Sequence, residues 1–204
     1  MEHGQVGNAQ MSTDTIGTTD LATGVLPEPA PTSAREYLER LTHWVDDFPV
    51  AGVLFADLTP VFADAEAFGR IVSEVADCAG DADVIAAVDA RGFLVGGGVA
   101  RQLGSGLLAV RKAGKLPPPV RSATYALEYG EASLEIPAEG VVLTDKRVLI
   151  VDDVLATGGT LDATARLVEG AGAVVAGIAV VLEIGELGGR DRLGRYPVTS
   201  LITV

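Results

Sequence analysis

Four apolar residues, Val148 to Val151, run without a break into Asp152 and Asp153 and then into a glycine pair between threonines, in the string VLIVDDVLATGGTLDATA. An apolar run that does not alternate reads as a strand covered on both faces. Similar runs occur in DVIAAVD (83–89), GLLAVRK (106–112) and AVVAGIAVVLE (173–183), while RVLIVDD (147–153) holds the opening one. Helical spacing of apolar residues predicts helices over AEAFGRIVSEVADCAG (65–80), FLVGGGVARQLG (93–104, closed by Gly104) and TLDATARLVEGAG (160–172). An earlier helix is predicted in SAREYLERLTHWVDDFP (33–49), with Ser33 as N-cap, with Tyr37, Leu38, Leu41, Trp44 and Val45 on its apolar face, and with Pro49 as its stop.

Strands alternating with helices of this length imply an α/β fold: a mainly parallel sheet with helices on both faces and ligands bound beyond the carboxyl ends of its strands. Two segments break the rhythm. Residues 1–33 are rich in Gly, Thr, Ser and Pro and show no period, which predicts a disordered tail ahead of a single domain over 34–204, with Met11 as an alternative start. The stretch from Leu116 to Lys146 contains YALEYGEASLEI, which reads as a β-hairpin or mobile arm, and long insertions of this kind often act as lids.

A length of 204 residues fits one substantial core. The formal charge of -13 argues against a nucleic-acid surface, because binding a polyanion takes a basic face. The single cysteine, Cys78, excludes an internal disulfide and reads as a buried helical thiol. No basic leader precedes an apolar core, and no apolar run is long enough to span a bilayer, so a cytoplasmic protein without a membrane partner is expected.

The chemistry concentrates after the strand that ends in the two acids. Gly158 and Gly159 permit a tight turn and let backbone N–H groups approach a ligand. The next helix contributes its positive end, and Thr157 and Thr160 add hydroxyl donors, so Ala156, Thr157, Gly158, Gly159 and Thr160 form a cradle for a phosphate monoester. No lysine follows the last glycine as a Walker loop requires, and the acids precede the glycines, unlike a dinucleotide fingerprint. Asp152 and Asp153 make sense beside a sugar phosphate, since carboxylates accept hydrogen bonds from vicinal hydroxyls.

The string VLIVDDVLATGGT resembles the motif with which type I phosphoribosyltransferases bind 5-phosphoribosyl-1-pyrophosphate (PRPP). FPVAGVLFADLTPVFAD (48–64), VDARGFLVGGGVA (88–100) and VRKAGKLPPPVRSATYALEYGEASLEI (110–136) each resemble the adenine phosphoribosyltransferase family. That resemblance implies the type I phosphoribosyltransferase fold, with a hood segment near the N-terminus and a mobile lid arm. It also implies transfer of phosphoribosyl from PRPP to adenine, giving AMP and pyrophosphate with inversion at C1, in a homodimer. Alternatives of the same fold are a transferase for another purine base and a non-catalytic PRPP-sensing regulator.

Site roles follow from the same resemblance. Arg111, Lys112, Lys115 and Arg121 place four of the chain's fifteen basic residues within eleven positions, and Arg91 with Arg111, Lys112 and Lys115 is expected at the pyrophosphate, Arg111 serving the partner's site. The peptide before Arg91 is a candidate for a non-proline cis bond. Mg²⁺ is expected to arrive with PRPP, because it binds readily through substrate phosphates and keeps its waters. Adenine is expected against the Leu54 carbonyl and the Ala56 N–H, with apolar contact from Leu54, Phe55 and Ile184; many relatives carry arginine where this chain has Ala56. Tyr125, Glu128 and Tyr129 belong to the lid, with Glu128 a candidate for proton handling or electrostatic stabilisation of the sugar. His3 and His43 are read as incidental.

Overall fold

The computed structural model describes residues 30–126 and 131–204. The expected tail therefore falls outside the described residues as far as residue 29, as do Glu128 and Tyr129. In chain order the elements are α1 (Ala34–Leu41), β1 (His43–Val45), β2 (Phe55–Asp57), α2 (Thr59–Ala63), α3 (Ala65–Asp77), β3 (Val84–Val88), α4 (Gly92–Leu103), β4 (Gly106–Lys112) and β5 (Val120–Ala126). There follow β6 (Glu131–Pro137), β7 (Arg147–Leu155), α5 (Gly159–Gly170), β8 (Val174–Glu183), α6 (Gly189–Arg192) and β9 (Val198–Thr203).

Seven strands form one sheet in the order β5-β6-β4-β3-β7-β8-β9. The five from β4 to β9 are parallel, whereas β6 is antiparallel to β4 and β5 antiparallel to β6. β7 lies at the centre of the parallel part, between β3 and β8. Its apolar run divides by parity: Leu149 and Val151 join a core with α1, α3 and α4, while Val148 and Ile150 join a second core with α5. A strand with a core on each face has no polar side to show, which is why the sequence carries no alternation there.

Ser33 caps α1 as expected, its side chain accepting from the Glu36 N–H at 3.3 Å, and Gly104 closes α4 in the left-handed conformation at φ +67. The first helix is shorter than its spacing predicted. It ends at Leu41, and Trp44 and Val45 lie instead in β1, which pairs antiparallel with β2. β-branched and aromatic residues at 42, 44 and 45 favour extended backbone, and the partner strand supplies the hydrogen bonds that make the switch worthwhile. β9 was not anticipated: it is an edge strand with only Ile202 fully buried, so VTSLIT lacks the continuous apolar run of its neighbours. The 116–146 insertion is a hairpin, β5 paired with β6, and β6 joins the main sheet through Arg111 opposite Glu135 and Lys112 opposite Leu134.

Ile150 is fully buried between β3, β8 and α5. Ile150→Ala is expected to lower stability by about 2–5 kcal/mol through lost burial and a residual cavity, read as a drop in the urea-unfolding midpoint at unchanged m-value.

Candidate active site

β7 continues through both acids to Leu155, so Asp152 and Asp153 sit inside the carboxyl end of the central strand and are 8 % and 6 % exposed. The Asp153 N–H donates to Asp152 Oδ1 at 2.9 Å. Burial, followed by the charge of Asp153, pushes the Asp152 carboxyl well above the usual carboxylate range. Arg91, at the N-terminus of α4, brings Nε to 2.6 Å from Asp153 Oδ2. That ion pair gives the buried Asp153 carboxylate its opposing charge. Arg91 also donates to the Ala56 carbonyl at 3.3 Å, and its guanidinium lies 5.1 Å from the centre of the Phe55 ring.

The close approach of α4 to β7 depends on Gly92. A Cβ there would lie 2.9 Å from Asp152 Oδ1 and 3.0 Å from the Val151 carbonyl, both tighter than side chains tolerate. Strand β3 presents a third acid at its own carboxyl end, Asp89, which the sequence reading had not singled out. Arg111 Nε is 2.9 Å from Asp89 Oδ2, and the Lys112 N–H is 3.5 Å from the same oxygen. Burial alone would raise the Asp89 pKa; the Arg111 hydrogen bond and the Lys112 N–H outweigh it and hold it below the ordinary value. The non-proline cis bond is Asp89–Ala90, one peptide earlier than the expected bond before Arg91.

Past Leu155 the chain turns through Ala156 and Thr157 to Gly158, at φ +77, and enters α5 at Gly159. This places a run of backbone N–H groups at the positive end of a twelve-residue helix. The turn rests on α6, since a Cβ on Gly158 would come within 2.7 Å of the Gly189 carbonyl, and one on Gly189 would collide with the Ala156 carbonyl. Arg192, unmarked by any sequence motif, extends from α6 to within 3.5 Å of the Thr157 carbonyl.

These parts enclose an open pocket of about 400 Å³ walled by Phe55, Asp89, Ala90, Arg91, Lys112, Tyr125, Leu134, Asp152, Asp153 and Thr160. Residues from six separate strings of sequence thus meet at the carboxyl end of the sheet. Leu54, Ala56, Ile184, Arg111 and Lys115 are not in its wall. Ala56 is buried in β2 beneath Arg91, Leu54 is exposed beside it, and Ile184 donates its N–H to the Leu155 carbonyl at 2.9 Å. Lys115 is exposed in the turn after β4. Among the described residues no three His, Cys, Asp or Glu side chains gather as a metal cage. The adjacent carboxylates of Asp152 and Asp153 offer oxygen ligands that fit a cation bringing most of its own ligands. No helix among the described residues is long and apolar enough to cross a membrane.

The profile of the phosphoribosyl transferase domain matches residues 63–202. The chain therefore belongs to the phosphoribosyltransferase family. Within it, the chain groups with proteins named adenine phosphoribosyltransferase: it is 70% identical to that of Rhodococcus jostii over 172 residues, covering 84% of this chain and 97% of the relative. Identity to the Nocardia farcinica protein of the same name is 63% over 169 residues, 83% of this chain and 88% of the relative. Among solved structures, adenine phosphoribosyltransferase from Thermoanaerobacter pseudethanolicus superimposes with a TM-score of 0.80 at 44% identity, covering 84% of this chain and all (100%) of that one. The Saccharomyces cerevisiae enzyme, solved with adenine and an imino-altritol bisphosphate, gives 0.77 at 36% identity, covering 83% of this chain and 98% of that one.

Asp152→Asn removes a buried charge while keeping an acceptor for the Asp153 N–H. Because the folded-state pKa is raised, this group's stabilising contribution is full below the unfolded Asp value of about 3.9 and is lost as pH rises through the folded value. The variant is expected to melt above the wild type at neutral pH and above, with the gap narrowing as pH falls toward the ordinary carboxylate range. Calorimetry across that pH series checks both the sign and the narrowing. Gly92→Ala is expected to fold and yet lose most PRPP affinity, measured by titration calorimetry, because its methyl displaces Asp152.

Proposed function

We propose that the chain transfers the phosphoribosyl group of PRPP to adenine, giving AMP and pyrophosphate in purine salvage. The observation that carries this reading is the convergence, around one pocket, of the β7 acid pair, Thr160 at the start of α5, and the cations Arg91 and Lys112, with the rest of the turn 156–159 adjoining Thr160 outside the pocket wall. Each suits a different part of one ligand. The N–H groups of Ala156 to Thr160 hold the 5-phosphate, Asp152 and Asp153 accept from the ribose hydroxyls, and the cations hold the pyrophosphate.

Arg91 and Lys112 are the pyrophosphate ligands within the pocket wall, with Lys115 reaching it from the turn after β4. For Arg91 the pyrophosphate competes with Asp153, so the guanidinium changes partner as PRPP enters. Phe55 offers adenine an apolar face, and the neighbouring backbone of Leu54 and Ala56, with Ile184, completes the base site. Mg²⁺, when bound, neutralises charge on the departing pyrophosphate. In the transfer, the C1–O bond breaks with its electron pair going to pyrophosphate, adenine N9 forms the new bond from the opposite face, and the N9 proton is released. The chain's own contribution is alignment and electrostatic stabilisation of a cationic sugar. The β5–β6 hairpin, with Tyr125 in the pocket wall, closes to exclude water, and Glu128, which with Tyr129 follows β5 in the sequence, handles the proton at the base or stabilises the sugar. The enzyme works in the cytoplasm as a homodimer, with Arg111 serving the partner's site.

Purified protein given Mg²⁺, PRPP and a panel of adenine, guanine, hypoxanthine and xanthine is expected to release pyrophosphate with adenine alone. Turnover of another base in preference would replace the proposed substrate. Asp152→Asn combined with Asp153→Asn is expected to remain folded and lose PRPP binding in calorimetric titration.

A further inference from the structure

Glu183 is a carboxylate at the end of β8, 4 % exposed, for which the transfer chemistry has no use. Arg190 grips it as a fork, with Nε on Oε1 at 2.9 Å and a terminal nitrogen on Oε2. Ser200 donates to Oε2 at 2.8 Å, and Arg190 also donates to the Val198 carbonyl at 2.7 Å. The Arg190 hydrogen bond holds the Glu183 carboxyl below its ordinary pKa despite burial. Four hydrogen bonds converge on this one buried acid, two from Arg190 and one each from Ser200 and Thr203, and Gly189 and Arg192 in the same short helix as Arg190 show what they secure. Gly189 packs under the phosphate turn so tightly that a Cβ would overlap the Ala156 carbonyl. Arg192 holds its guanidinium 3.5 Å from the Thr157 carbonyl and 3.2 Å from where a Gly159 Cβ would stand.

We propose that the Gly188–Arg192 turn, latched to Glu183 through Arg190, is a positioning element that sets the backbone of the 5-phosphate turn, with Arg192 holding the Thr157 peptide. The turn 156–160 has no side chain long enough to brace itself, and its donors are backbone N–H groups whose directions depend on each peptide plane. A cation on the carbonyl of a peptide fixes that plane and polarises the group as a whole. Gly189 supplies the floor and Arg192 the brace, and neither can be placed without the ion pair between them and β8. Arg190 and Arg192 are thus positioning residues for ligands carrying a 5-phosphate. This inference rests on the assignment of residues 156–160 to the 5-phosphate.

The test separates 5-phosphate ligands from the rest. Affinities for AMP, ribose 5-phosphate and pyrophosphate are measured by calorimetry on the wild type, Arg192→Gln, Arg192→Lys, Arg190→Gln and Thr160→Glu, with KM for PRPP and kcat alongside. Arg192→Gln and Arg190→Gln are expected to weaken AMP and ribose 5-phosphate by roughly three- to tenfold, the range of one or two net hydrogen bonds. Pyrophosphate should stay within about twofold, less than one such bond contributes. KM for PRPP should rise with little change in kcat, and Arg192→Lys should recover most of the loss by restoring the charge. If both glutamine variants bind AMP like the wild type while Thr160→Glu does not, the positioning role is overturned and the phosphate site stands. If Thr160→Glu, which sets a carboxylate in the turn, also binds AMP and ribose 5-phosphate normally, the assignment of the turn itself fails. A loss that extends equally to pyrophosphate marks general damage to the fold and overturns the proposal as well.

Discussion

Two adjacent carboxylates buried in the middle strand of a sheet set the terms for everything around them. Buried charge needs a partner, and the cation that supplies it, Arg91, comes from the start of α4, across the gap that Gly92 keeps narrow. The strand that carries the acids is flanked by β3 and β8, and a core on each of its faces holds its backbone against the repulsion between the side chains. The result is a strongly accepting surface at the end of β7.

Much of this was legible in the sequence, for physical reasons. A strand covered on both faces must be apolar throughout, so β3, β7 and β8 announced themselves, and the acids at the end of one marked the ligand edge. The turn into α5 was legible because glycines at a strand-to-helix junction have few other uses. What did not show was whatever depends on partners far away in the chain. Trp44 and Val45 fit a helical stripe by spacing, and only pairing with β2 makes them a strand. β9 is half-exposed and reads as a loop. Arg192 and Gly189 sit more than thirty positions from the turn they support, and nothing in GGRDRL indicates that destination. Asp89 was within reach, since it ends its strand just as Asp152 and Asp153 nearly end theirs.

Arg91 gives the site an economy that a residue-by-residue account obscures. One guanidinium touches the base wall through Phe55 and the Ala56 carbonyl, and the sugar acids through Asp153. Perturbing any of the three moves the other two, so substitutions at Phe55, Arg91 and Asp153 form a coupled set whose effects do not sum. Ala56 fits this arrangement: its carbonyl faces Arg91, and a small side chain leaves the buried inner face of β2 free to pack.

The hairpin of β5 and β6 meets the main sheet at the end of β4, pairing opposite Arg111 and Lys112, with the Ala113 N–H donating to the Ser133 carbonyl at 2.9 Å. The cover of the site and the cations assigned to the leaving group thus share one piece of backbone at the end of β4. On the roles proposed for them, a displacement of the hairpin carries those cations with it, so that admission of solvent and relaxation of the grip on pyrophosphate would be a single mechanical event rather than two that need to be timed.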